Sequence, residues 1–337
     1  MSRTKAFSVS SLVFMMSMAI TLTGIEAATG AENPKPMRVT MAGYSVGGSS
    51  SVAGEAIGEA IKRTAPGSAF AYEPGRSGAN EVTVATGKTE LGLSHVWTTK
   101  AAMNAKEFYK EKYPNLRVIT YLHETAVCML FRKDAGINSL EQLKEKKFGL
   151  IAGVNTKNSL MEVAARYTLE AYGSSYADIE KWGGKIHYLS SGPTFDLIRN
   201  KRAHAFASCI TPPDSNINEL ATTIDLTILP LNDAVIQTVA EKMGGGEKYV
   251  HEKSDYPKFL TKDVPSVGLP NILITRAELP DDQAYWITRA IYEHLGYLRQ
   301  TAKPLAHMNR ETMARKIGGL PLHPGAIKYY KEIGVLK

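Results

Sequence analysis

Cysteine is nearly absent from this chain. Its 337 residues hold two, Cys128 and Cys209. There is no C-x-x-C pair and no His/Cys cluster, which argues against a metal centre and against a disulfide-stapled scaffold. Both cysteines lie in apolar, strand-like runs, TAVCMLF and AFASCI, and read as buried free thiols, with a bridge between them as the alternative. The G-x-G-x-x-G fingerprint and the P-loop lysine pattern are also missing, so no nucleotide cofactor is indicated. Charge of one sign is scarce too. Forty basic residues stand against 33 acidic ones, a formal +7, and the basic ones are dispersed. Nucleic-acid binding would require a basic patch. A mild excess of positive charge instead favours encounter with a small anion. Beyond the N-terminal segment, no stretch is long and apolar enough to cross a bilayer.

What is present begins with that segment. Arg3 and Lys5 precede an apolar run from Ser8 to Leu22, and the small residues EAATGA follow. This pattern predicts a secretory signal peptide over residues 1–31, cut near Ala28 or Ala31, with an uncleaved anchor as the alternative. The remaining chain is long enough for two domains with a sizeable core.

Its organisation is a β-α rhythm. MRVTMAG reads as a strand, and the next segment places Ala53, Ala56, Ile57, Ala60 and Ile61 on one helical face. AFAYEP, ELGLSHV and LRVITYL are further strands, with helical or turn segments between them. A second round follows: a capping box at Ser139–Gln142, the strand KKFGLIAG, and the helix SLMEVAARYTLEAYG. Residues 247–265 read as irregular, 266–276 as a strand, and Pro280–Leu298 as one long helix with Pro at its first position. Strands alternating with helices predict an α/β protein with a parallel sheet covered on both faces. The two rounds echo each other as strand, Ala-Gly, polar loop and helix, which predicts two similar lobes. In such sheets ligands bind at the carboxyl ends of the strands.

The first of those loops poses the functional question. Gly43-Tyr44-Ser45-Val46-Gly47 spells G-x-S-x-G, a nucleophile elbow in hydrolases. An elbow also needs an upstream loop to supply an oxyanion hole, and this motif follows the first strand. The longer unit GYSVGGSSS reads instead as an anion cradle: glycines let backbone N–H groups approach, and serines stand at a helix start. Ser45 is therefore expected to donate a hydrogen bond, with an exported serine hydrolase using Ser45 as the alternative reading. Other positions after strands could line the same cleft. They include Arg76, Ser77 and Asn80 in PGRSGAN, Ser94, His95 and Trp97 in LSHVW, Asn155, Thr156, Lys157 and Asn158 in AGVNTKNS, and Ser208 and Thr211 in FASCITPP.

These pieces, with AGYSVGGSSSVAGEAIGEAI, GANEVTVATGKTELGLSHVWTTKAAMNA and the tail LPLHPGAIKYYKE, resemble the TAXI-type solute receptors of tripartite ATP-independent periplasmic (TRAP) transporters. The resemblance covers nearly all of the chain after residue 31. It implies a two-lobed type II periplasmic binding-protein fold with a ligand cleft between the lobes. Lobe I would span 32–126, lobe II 127–264, and residues 265–337 would return to lobe I. It implies a periplasmic receptor, not an enzyme, without cofactor or metal. Such a receptor would be a monomer that captures a small carboxylate, glutamate or a related dicarboxylate, and docks on a TRAP permease. The resemblance carries Ser45, Gly48 and Ser49 over as a carboxylate-binding loop; with the strand-end positions read above, the expected ligand-binding set is Tyr44, Ser45, Gly48, Ser49, Asn80, His95, Trp97, Asn155, Thr156, Lys157 and Ser208. The chain departs from the family at Tyr44, where a small residue is usual, and at Ser50, where an aromatic is usual.

Overall fold

The computed structural model describes residues 33–44 and 49–337. The predicted signal peptide lies outside the described residues. So does the loop 45–48. In chain order the elements are β1 (Arg38–Ala42), α1 (Ser49–Thr64), β2 (Ala69–Glu73), α2 (Asn80–Ala85), β3 (Leu91–His95), α3 (Val96–Asn104) and β4 (Leu116–Arg132). There follow α4 (Glu141–Glu145), β5 (Ile151–Gly153), α5 (Leu160–Ala171), α6 (Tyr176–Lys181), β6 (Lys185–His187), α7 (Ser191–Arg199) and β7 (Ala205–Ile210). Next are α8 (Ser215–Leu220), β8 (Leu226–Ile228), α9 (Asp233–Lys242), β9 (Glu247–His251), β10 (Val264–Arg276), α10 (Asp281–Glu293), α11 (Leu295–Thr301) and α12 (Pro324–Glu332).

Among the described residues the strands form one ten-stranded sheet in the order β2-β1-β3-β10-β4-β7-β5-β6, with β8 beside β4 and β9 beside β10. The sheet is mixed, where the sequence predicted a parallel one. β1 pairs parallel with β2 and β3, and β5 pairs parallel with β6 and β7. Between these two parallel sets run the long strands β4 and β10, antiparallel to each other and to their outer neighbours. β10 pairs with β9 through Val264–Gly268 and with β3 through Asn271–Ile274, so one strand serves both halves of the sheet. β4 likewise pairs with β7 from Ala126 onward.

Helix formation follows the predicted apolar faces. Ala53, Ala56, Ile57, Ala60 and Ile61 of α1 are all buried, against β1 and the C-terminal helices. Burying Ile57 and Ile61 stabilises the contact by roughly 1.5–3 kcal/mol each. The second half has its own core around Phe131, Leu143, Val163, Leu169 and Ile179.

Several boundaries differ from expectation for local reasons. The helical segment after ELGLSHV stops at Asn104, because Ala105 takes a left-handed conformation with φ 51°. The predicted long helix from Pro280 breaks at His294 into α10 and α11, and Pro280 caps α10 from outside. Ser139 makes no cap for α4; Gln142 Oε1 instead accepts from Asn138 N at 3.2 Å. The stretch expected to be irregular contains β9, which gains its ladder by pairing with β10. Among the described residues no helix is long and apolar enough to cross a membrane.

The cysteines are free. Val127 faces Cys209 across the β4–β7 ladder, and Cys128 faces Ser208. Side chains alternate along a strand, so the two thiols lie on opposite faces of the sheet.

Candidate functional site

A cleft of about 750 Å³ opens where the strand ends of the two halves meet. Tyr44 and Ser50 come from the end of β1 and the start of α1, Arg76 and Ser77 from the loop after β2, and His95 from the end of β3. The other half supplies Asn155, Thr156 and Lys157 after β5, Ser190 and Ser191 at the start of α7, and Thr211 and Asp214 after β7. Thr125 of β4 and Asn271 of β10 line it from the two long strands. A second depression, of about 520 Å³, lies on the outer face of α1 beside Tyr297, away from these strand ends.

The wall of the first half is held by backbone-directed hydrogen bonds. Asn80 is buried; its Nδ2 donates to Gly43 O and to Leu93 O, both at 2.9 Å, and its Oδ1 accepts from Arg76 N at 3.1 Å. It thus ties the loops after β1 and β2 to the end of β3 and does not itself line the cleft. Buried Glu81 accepts from Gly78 N at 2.9 Å and from Ser94 Oγ, which fixes the turn carrying Arg76 and Ser77. Tyr72 accepts from Tyr44 N at 2.7 Å and donates to Tyr44 O at 3.2 Å. A Cβ on Gly43 would stand 2.0 Å from that Tyr72 hydroxyl, so only glycine lets the chain pass there.

Tyr44 and His95 form a pair in this wall. The Tyr44 hydroxyl lies 3.1 Å from His95 Nδ1. Burial, reinforced by His123, lowers the His95 pKa to about 3. A base that weak is poorly matched to accept a proton from a serine near neutral pH. Ser77 Oγ is buried and has no partner among the described residues.

The wall of the second half is the loop leading into α5. Asn155 and Asn158 take left-handed φ values of 73° and 62°, conformations that Asn tolerates better than most residues. Asn155 Oδ1 accepts from Thr156 N at 2.7 Å. Ser159 Oγ accepts from Glu162 N at 3.3 Å while Glu162 Oε2 accepts from Asn158 N at 2.9 Å, a reciprocal cap. This arrangement turns the positive end of a 12-residue helix toward the cleft. Lys157 Nζ sits 5.5 Å from the Tyr188 ring centre. Among the described residues neither Lys157 nor Arg76 has a carboxylate partner. Asp214 caps α8, accepting from Asn216 N at 2.9 Å and Ile217 N at 3.2 Å, and burial raises its pKa.

Of the residues singled out from the sequence, the structure brings Tyr44, Arg76, Ser77, His95, Asn155, Thr156, Lys157, Asn158 and Thr211 to the lining of the cleft. Asn80 sits behind its wall. Trp97 is buried in the core, edge-on to Phe108 with ring centres 6.3 Å apart, and Phe108 is the one that lines the cleft. Ser208 is fully buried inside β7, and its hydroxyl has no partner among the described residues. Ser45 and Gly48 lie outside the described residues, as does the Ser49 side chain. Thr125, Asn271, Phe108, Ser190, Ser191 and Asp214 carried no functional signal in the sequence. Among the described residues no group of three or more His, Cys, Asp or Glu could hold a metal ion.

Two antiparallel strands shared by two α/β halves, with a cleft at the strand ends, define the periplasmic binding-protein fold. The chain belongs to the NMT1-like family, whose model matches residues 41–334. Three solved structures with this fold are similar at low sequence identity. The periplasmic binding protein BugD is 13% identical with a TM-score of 0.53, covering 89% of this chain and 98% of that one. A TctC solute-binding protein from Polaromonas is 16% identical with a TM-score of 0.52, covering 89% and 99%. MatC from Rhodopseudomonas palustris with bound malate is 15% identical with a TM-score of 0.54, covering 88% and 97%.

Proposed function

We propose that this chain is a periplasmic solute-binding receptor for a small carboxylate, glutamate or a related dicarboxylate, exported by its N-terminal signal and serving as a monomer. The observation that carries this is a pair of cations with no carboxylate partner among the described residues, Arg76 on one wall of the cleft and Lys157 on the other. Cations without a carboxylate partner leave charge-assisted bonds available to an anion with two ends. The α5 terminus adds positive potential on the Lys157 side. MatC, of the same fold, is described with bound malate, itself a dicarboxylate.

In this reading residues 32–126 and 265–337 form lobe I, and residues 127–264 form lobe II. The lobes close by bending near Thr125 of β4 and Gly268–Asn271 of β10, where pairing passes from one half to the other. Ser45, Gly48 and Ser49 join Tyr44 and His95 at one end of the ligand. Asn155, Thr156 and Lys157 meet the other. Asn80, Trp97 and Ser208 act from behind, through the loops and strands that they support. The resemblance to TAXI-type receptors supports delivery of the ligand to a TRAP permease.

The test is thermal denaturation of protein that has been unfolded and refolded to strip bound solute, against dicarboxylates, amino acids and 2-oxo acids. A ligand at a hundred times its Kd stabilises by about 2.7 kcal/mol, which is a shift of several degrees for a chain of this size. If no small anion moves the transition, the reading fails.

A further inference from the structure

We propose that Tyr44 holds His95 in a single tautomer, and that His95 presents its Nε2–H as a neutral donor to an acceptor oxygen of the bound ligand. This rests on the receptor reading given above.

His95 is 2% exposed yet contributes to the cleft surface. Its Nδ1 is taken by the Tyr44 hydroxyl at 3.1 Å, the rings tilted by 45° with centres 5.9 Å apart. Its Nε2 has no partner among the described residues. The direction of the Tyr44 bond follows from chemistry. A phenol proton is far more acidic than a neutral imidazole N–H, and an imidazole nitrogen is far more basic than a phenol oxygen. The favourable arrangement is O–H donating to Nδ1. A neutral ring then carries its one proton on Nε2. Neutrality follows from the surroundings. The ring is buried, the titratable groups facing it are Tyr44 and His123, and the pKa lies at about 3.

The consequence is selectivity by hydrogen bonding at this point of the cleft. A fixed N–H rewards a carboxylate, carbonyl or hydroxyl oxygen placed against it. A ligand with an ammonium or a methyl group there leaves a buried donor unpaired. Recognition at this position is then independent of pH between 5 and 8, unlike that by an ordinary histidine. Tyr44 is a positioning residue in this scheme, and His95 is the specificity-determining one.

The test is two-dimensional NMR of protein labelled with 15N-histidine, with and without succinate, malate or glutamate. Expected for His95 is a single protonated nitrogen, Nε2, from pH 5 to 8, whose signal moves when one of these probes saturates the protein. In Tyr44→Phe both tautomers should appear and affinity should fall roughly tenfold. His95→Gln, which keeps an N–H donor, should retain more affinity than His95→Leu. A proton on Nδ1, a ring that titrates near 6.5, or an Nε2 signal unmoved by a saturating probe overturns the proposal while leaving the receptor reading intact. These are measured on the unmutated protein, so a variant that fails to fold does not affect them. If no anion of the wider panel binds, the receptor reading fails and this proposal with it.

Discussion

Asn271 Nδ2 donates to Thr125 Oγ1 across 2.7 Å, tying β10 to β4 at the floor of the cleft. The bond is buried and joins residues 146 apart in the chain. The β10–β4 register also shifts between Asn271 and Ile272, which bends the ladder at that point. Asn271→Ala removes a buried donor and leaves its partner unmatched, a loss of about 1 kcal/mol. Chemical denaturation should show that loss, and calorimetric titration should show several-fold weaker anion binding. Unchanged affinity would mean that the floor plays no part in holding the ligand.

The two cleft cations, Arg76 and Lys157, should matter separately. Arg76→Gln and Lys157→Met each remove a charge-assisted bond of about 1.5–3 kcal/mol, so each should weaken binding by at least roughly tenfold. The dependence of affinity on salt should flatten in both. A variant that binds as tightly as the parent would remove that residue from the ligand shell.

Among the described residues four buried histidines, His95, His123, His251 and His323, have their pKa lowered and give the fold a pH signature. His95 is lowered to about 3, and His123 and His251 to about 4, in each case mainly by burial. Their folded values lie below the ordinary 6.5, so the unfolded chain binds more protons. The stability they contribute is present above pH 6.5 and is lost as pH falls through that value toward 4, at most ~1.4 kcal/mol per pH unit for each group. Glu124 and Asp214, raised by burial, act with the opposite sign. Calorimetric unfolding at pH 5.5 in buffers of different ionisation enthalpy reads proton uptake directly. His251→Gln should reduce that uptake by about one proton. An unchanged uptake would show that His251 is already protonated in the folded chain.

Cys128 and Cys209 should stay reduced in air, because the sheet lies between them. Mass spectrometry of native protein should show no loss of two hydrogens. A thiol reagent should label both fully only after denaturation, since both are buried. Cys209 borders the cleft, so a bound anion should slow its labelling during partial unfolding while Cys128 serves as the control. Detection of the bridge would contradict the strand register.

Much of this molecule is local and therefore legible in a one-dimensional chain. Burial of one helical face at Ala53, Ile57 and Ile61 follows from a 3.6-residue period. The loops carrying Tyr44, Arg76 and Lys157 stand out in sequence because polar, glycine-rich or asparagine-rich segments follow apolar strands. Asn80 and Trp97 come from the same kind of segment, yet one bonds the loops from behind and the other fills the core. Spacing cannot tell a side chain that points into a cleft from a neighbour that points away.

What residue order by itself determined is the alternation of strand and helix, the two-round organisation and the loops from which a site could be built. Tertiary structure decided that β4 and β10 run through both halves. It thereby made a cleft floor of Thr125 and Asn271, which look like ordinary strand residues in sequence. It also set Tyr44 against His95, 51 positions apart, and put the two cysteines on opposite faces. The physical reason is common to all three. Each depends on which strands pair and in what register, a long-range choice made by burying the whole sheet at once.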